Sequence, residues 1–292
     1  MSSLIASAIV SGLAVGSMYG LLALGYHVTW AVSRTVNFAL GSSMMLGAVL
    51  AYSLAVTAGW PGWIALPAAL ALCALYGVGV ERLVVRPFVR RGSESWLMAT
   101  VAAGILLDNI VLFTFGKEPR ALPSSLAARP VDLFGIGVFP LQLVIPAVGL
   151  GLAASLHAAM RGTRLGKAML AVVQNPRAAS LMGIDVQRMV VVAYALATVF
   201  AGIAGILVAP LYTVSSTMGF LFGIKAFAVA ILGGIDNAWG VVIAGLLFGV
   251  VEALITATLG SSYTYILSFG LVIAALALMP QGLLGRAAVK KV

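Results

Sequence analysis

The chain is a succession of apolar runs, each long enough to cross a bilayer, separated by short polar breaks. Crossing the hydrocarbon core takes about 20 apolar residues in a helix, and lipid offers backbone N–H and C=O groups no partner outside that helix. The pattern therefore predicts an all-α, polytopic integral membrane protein. Candidate spans fall near 4–26, 38–57, 62–84, 96–115, 140–160, 189–212, 217–233, 238–259 and 264–280, which is within a range of about eight to ten transmembrane helices.

Composition bears this out, with 62% hydrophobic and only 9% charged residues, whereas soluble domains carry roughly a quarter charged. No stretch remains for a sizeable soluble unit, so residues 1–292 read as one transmembrane domain. The first run, Leu4 to Tyr26, lacks a basic leader region and a small-residue cleavage site, and is expected to be the first span rather than a removable signal.

The net charge of +9 would point to nucleic acid in a soluble protein. Here the basic residues sit between apolar runs, so they read as topology signals and contacts to anionic lipid, with no nucleic-acid partner. With nine spans, one side receives Arg34, Arg82, Arg86, Arg90, Arg91, the loop group Arg161, Arg164, Lys167, Arg177 and Arg188, and the tail Arg286, Lys290 and Lys291. The other side receives Lys117, Arg120 and Arg129. The positive-inside rule then places the C-terminus in the cytoplasm and the N-terminus outside. Residues 27–37 decide the matter, because a segment there that stays within the membrane changes both the count and the N-terminal side.

Gly12, Gly16 and Gly20 recur every fourth position in the first run, and Gly245 and Gly249 do so in the eighth. Such smooth helix faces let another backbone approach closely. They serve either packing or a moving, pore-lining surface.

Residues for covalent chemistry are sparse. The nearest approach to a phosphate-binding loop, Gly162 to Ala168, is one residue short and has alanine where a Mg²⁺-binding hydroxyl belongs. His27 and His157 are the only histidines, and the eight carboxylates form no paired or metal-binding motif. No catalytic residue, metal site or cofactor is expected, and Cys73, alone in an apolar run, reads as packing.

Three charges fall inside spans, namely Asp108, Lys225 and Glu252. Each is costly there unless paired or facing water, so it marks either a solute path or a buried pair that fixes packing. The segment Thr35 to Ser43 opens a long apolar run, with Asn37 as a candidate N-cap. If that helix begins within the membrane, its positive end together with Ser42 and Ser43 could meet a carboxylate. If it begins at the interface, the cap is an ordinary one. The loop 161–188 carries an amphipathic stretch from Gly166 to Val173, a turn at Asn175-Pro176 and a helical stretch ended by Gly183. It predicts a pair of short helices outside the bilayer, either docking a partner or lying on the membrane surface.

At these residues the chain resembles the permease subunits of bacterial ABC importers for branched-chain amino acids. The resemblance runs through Gly12 to Gly25, Val36 to Gly41, Ala178 to Ile184, and Gly223 to Phe227 continuing to Gly233-Gly234. It implies residence in the bacterial inner membrane, a second permease subunit, cytoplasmic ATP-binding cassette subunits and an extracytoplasmic substrate-binding protein. It also assigns Asn37, Phe38, Gly41, Ser42, Lys225 and Glu252 to a substrate pathway, and Gly166, Asn175, Ala178, Ala179, Ser180 and Gly183 to ATPase coupling. One departure bears on the substrate, since the family commonly carries histidine at the position of Leu40. The competing reading is an ion- or proton-coupled secondary transporter using Asp108 and Glu252 as carriers.

Overall fold

A computed structural model describes residues 2–133, 136–279 and 281–285. The tail residues Arg286, Lys290 and Lys291 of the charge argument lie outside these. Twelve helices run in chain order among the described residues: α1 Ser2–Ser33, α2 Leu40–Tyr52, α3 Gly62–Gly79, α4 Arg86–Arg90, α5 Trp96–Phe115, α6 Pro140–Gly162, α7 Arg164–Gln174, α8 Pro176–Leu181, α9 Val186–Val208, α10 Met218–Gly233, α11 Ala238–Leu259 and α12 Ser261–Leu278. A short hairpin, β1 Val131–Leu133 and β2 Ile136–Val138, precedes α6.

Eight helical segments are long and apolar enough to cross a membrane, among them Leu40–Thr57 and Gly62–Arg90, in which α2 and α3 continue through π-helical turns. The seventh predicted span is α10, whose 16 residues rise only about 24 Å. Its N-terminus therefore starts inside the bilayer, after the irregular stretch 209–217.

The uncertain stretch 27–37 divides in two. Helix α1 runs unbroken through His27 to Ser33, and Arg34, in a left-handed turn at φ 56°, reaches Asp236 at 2.9 Å with both side chains more than half exposed. The helix thus ends at the surface. The chain then turns back inward without helix: the Thr35 hydroxyl meets the Tyr194 hydroxyl at 2.7 Å, Asn37 is fully buried, and α2 begins with Leu40 against Gly25, which also lies close to Ala197 of α9. Gly25 lies about 12 Å along α1 from Ser33, so α2 starts within the membrane. Irregular backbone at that depth is tolerated because protein surrounds it.

The termini also order the topology. The ends of α1, α6 and α10, the starts of α9 and α11, and the basic helices α7 and α8 share one face, which the positive-inside rule makes cytoplasmic. The N-terminus, the end of α11 and the start of α10 lie toward the other.

The glycine faces are packing seams. A methyl group on Gly16 would sit 2.6 Å from the Gly245 carbonyl oxygen, and one on Gly12 would sit 2.7 Å from the Val250 Cα. Helices α1 and α11 therefore touch backbone to backbone, as small-residue repeats allow in lipid. Cys73, fully buried, fills the space that a side chain at Gly202 would need, 2.9 Å away.

Candidate functional site

Helix α10 is the wall around which the candidate site is organised. Met218, Leu221, Phe222 and Lys225 follow helical spacing along one face and line a cavity of about 700 Å³. Phe220, Gly223 and Ile224 line a much smaller chamber of about 60 Å³. Five of the six pathway candidates separate between these two spaces.

The large cavity opens on the face opposite the basic loops. Helix α1 contributes Leu4, Ala8, Ser11, Val15 and Tyr19, α11 contributes Glu252, Ala253, Thr256 and Ala257, and α12 contributes Tyr265. Its walls are largely apolar and its charge is concentrated at one spot. There Lys225 pairs with Glu252, with side chains only 8% and 12% exposed. Tyr19 donates its hydroxyl to the second Glu252 oxygen at 2.9 Å, and the Lys225 ammonium lies 4.6 Å from the Tyr265 ring centre and 5.8 Å from that of Tyr19. The tyrosines partly replace the water both charges lose, through a charge-assisted hydrogen bond and cation–π contacts. Paired charges are what a membrane interior demands, so the sequence-level alternatives converge: the pair is buried and also faces the cavity.

Across α10, the small chamber is lined by Phe38, Gly41, Ser42, Gly104 and Asp108, with Tyr26. Phe38 packs edge-to-face on Phe227, 4.9 Å between ring centres. Gly41 meets α10 directly, since a methyl group there would stand 2.9 Å from the Gly223 Cα, with the Gly219 carbonyl closer still. Tyr26 donates to the Gly223 carbonyl at 3.2 Å. Together these contacts separate the two spaces. One Asp108 carboxylate oxygen is buried with no hydrogen-bond partner within the protein.

Asn37 lines neither space. Its side-chain oxygen accepts from the Ala39 N–H at 3.1 Å, so it holds the turn entering α2 instead of capping that helix's first free N–H groups. The Asn37 amide nitrogen has no partner within the protein. Leu40 is fully buried against Gly25 and lines neither cavity.

The coupling candidates form two capped helices. Thr163 accepts from the Gly166 N–H at 3.0 Å at the start of α7. Asn175 accepts from the N–H groups of Arg177 and Ala178, both at 3.1 Å, to start α8, and Gly183 ends the motif at φ 83°, a region glycine enters freely. Gly166 and Ala179 face inward: a methyl on Gly166 would stand 2.5 Å from the Met160 Cα, and Ala179 is 4% exposed. The outward surface is Ala178, Ser180, Leu181 and Met182, the last two more than four-fifths exposed.

Sequence reasoning missed Tyr19, Tyr265 and Thr256 as cavity residues. A signal was present in α1, where positions 4, 8, 11, 15 and 19 repeat at helical spacing and carry two hydroxyl-bearing residues among the apolar ones.

The chain matches the family described as branched-chain amino acid transport system / permease component over residues 8–276. It is 32% identical over 295 residues to the high-affinity branched-chain amino acid transport system permease protein LivH of Escherichia coli (strain K12), covering 97% of this chain and 96% of the relative. It is 30% identical over 297 residues to the corresponding permease BraD of Pseudomonas aeruginosa, covering 97% of each. The ribose import permease protein RbsC of Escherichia coli (strain K12) is 30% identical over 208 residues, 68% of this chain and 63% of that protein.

Proposed function

Because the chain belongs to the branched-chain amino acid transport system permease family, we propose that it forms one half of the membrane path of an ATP-binding cassette importer for apolar α-amino acids. In this reading the whole chain is a single permease domain of a bacterial inner membrane. It pairs with a second permease subunit, receives solute from an extracytoplasmic binding protein and is driven by cytoplasmic ATP-binding subunits.

The observation that carries the reading is the cavity on α10. An apolar amino acid is a zwitterion bearing a hydrocarbon side chain. The cavity offers Lys225 to the carboxylate, Glu252 to the ammonium and apolar walls to the side chain. While no solute is bound the two protein charges neutralise each other. A zwitterion that exchanges partners with them leaves no charge unpaired, which keeps desolvation affordable at membrane depth. Closure at Gly41, Gly219 and Gly223 then makes this an outward-facing arrangement, and passage requires α10 to move off α2.

Leu181 and Met182 supply the cytoplasmic contact, two large apolar side chains held outward by a rigid, doubly capped pair of helices. Ala179 and Gly166 position that element from beneath. The ion-coupled alternative has no support in the family, and Glu252 is already engaged by Lys225 and Tyr19.

The test is reconstitution. The permease, purified with its ATP-binding subunits, should take up leucine in proteoliposomes only with ATP and binding protein present, and Met182→Glu should strip the ATP-binding subunits during purification. Uptake by the permease alone under an ion gradient would overturn the proposal.

A further inference from the structure

A third cavity, of about 180 Å³, lies at the cytoplasmic end of the bundle and takes no part in the path described above. It is bounded by α1, α6, α7 and the start of α11, and it gathers both histidines of the chain, His27 and His157, together with Arg161. Its remaining walls are apolar, including Val28, Leu156 and Met169.

His27 Nδ1 lies 2.6 Å from the Ile235 carbonyl oxygen, which only accepts, so Nδ1 carries the proton and donates there, and Arg161 is left as the cationic donor of the cleft. His157 packs 6.1 Å from the ring of Trp239, a residue more than a third exposed at the start of α11, where aromatic side chains favour the membrane interface. The nearest carboxylate on this face, Asp236, is occupied by Arg34 at 2.9 Å. Arg161, at the end of α6, pairs with no carboxylate among the described residues.

We propose that this cleft binds an anionic phospholipid of the cytoplasmic leaflet, with the phosphate held by Arg161 and the first acyl methylenes lying against Val28, Leu156 and Met169. Basic pockets between transmembrane helices on the cytoplasmic side suit acidic headgroups, and the cleft lies at the depth where headgroup and chain meet. A soluble anion would satisfy Arg161 and leave the apolar walls bare. Met169 and Leu170 belong to α7 and form part of the lining, so a lipid seated here braces the helix that positions Leu181 and Met182. The site itself stands whether or not α7 docks an ATPase.

The experiment is native mass spectrometry on the intact transporter, extracted in mild detergent. Wild-type protein should retain a single phosphatidylglycerol or cardiolipin per permease chain. Arg161→Gln should lower that occupancy about fivefold, the weight of one basic residue at an anionic membrane surface. Arg164→Gln, which removes the same charge three residues on and outside the cleft, should leave it unchanged. Leu156→Trp, which fills the apolar end, should evict the lipid with Arg161 intact; if that variant fails gel filtration, the arginine pair decides alone. Equal loss in the two arginine variants, equal retention of phosphatidylethanolamine, displacement by excess inorganic phosphate, or no retained lipid would each overturn the proposal.

Discussion

The two spaces on either side of α10 differ in size and in how completely their charges are satisfied. On the outer side a cavity of about 700 Å³ ends at a lysine and a glutamate bound to each other and to a tyrosine. On the other side of α10 a chamber of about 60 Å³ holds an aspartate with one oxygen unpartnered, and nearby Asn37 has an unpartnered amide nitrogen. Unsatisfied polar groups in a low-dielectric interior are costly. In the proposed reading the large cavity is a resting site that is complete in itself, while the small chamber gains partners for its polar groups only when the path opens and water or solute enters. The backbone contact at Gly41, Gly219 and Gly223 holds that difference in place.

Gly41→Val attacks this contact directly and should have the largest effect. Its side chain would meet α10 backbone at 2.9 Å or less, where no flexible group can give way. Leucine uptake should fall to background, whether through a locked path or a damaged fold, and thermal unfolding distinguishes the two.

Glu252→Gln comes next. It leaves Lys225 charged and unpaired, which destabilises by about 3 kcal/mol and should lower uptake about tenfold or more. The double change Lys225→Met with Glu252→Leu sharpens the comparison, because removing both charges restores stability without restoring recognition. Full uptake by the double variant would reduce the pair to packing.

Asp108→Asn should do least. The amide removes a poorly solvated charge, so stability should hold or rise slightly, and uptake should stay within about threefold, roughly 0.6 kcal/mol in barrier. A loss as deep as that of Glu252→Gln would make the small chamber a ligand site in its own right and erase the contrast between the two spaces.

Much of this was legible in the sequence, for reasons particular to lipid. Length and hydropathy set the spans because a membrane permits so few backbone solutions, and the glycine spacing marked α1 and α11 each as a face for close backbone approach without saying that they meet. Asn175-Pro176 and Gly183 fixed α8 at both ends. The seventh span was harder: residues 217–233 are apolar enough to cross, yet α10 is short, and hydropathy does not report depth. Nor did it show that Lys225 pairs with Glu252 while Asp108 faces another space, because that depends on how α10 is rotated against its neighbours. The inward orientation of Ala179 was hidden for a similar reason, since a six-residue helix is too short for its periodicity to choose a face.

The claim that α10 divides an open outer cavity from the small chamber around Ser42 is tested most directly by cysteine accessibility. In a Cys73→Ala background, Thr256→Cys reports on the outer cavity and Ser42→Cys on the small chamber. With a membrane-impermeant thiol reagent added from outside to the resting transporter, Thr256→Cys should react rapidly and Ser42→Cys should stay unmodified until binding protein and ATP drive turnover. Equal labelling of both positions at rest would mean that the two spaces are already continuous and would contradict the account.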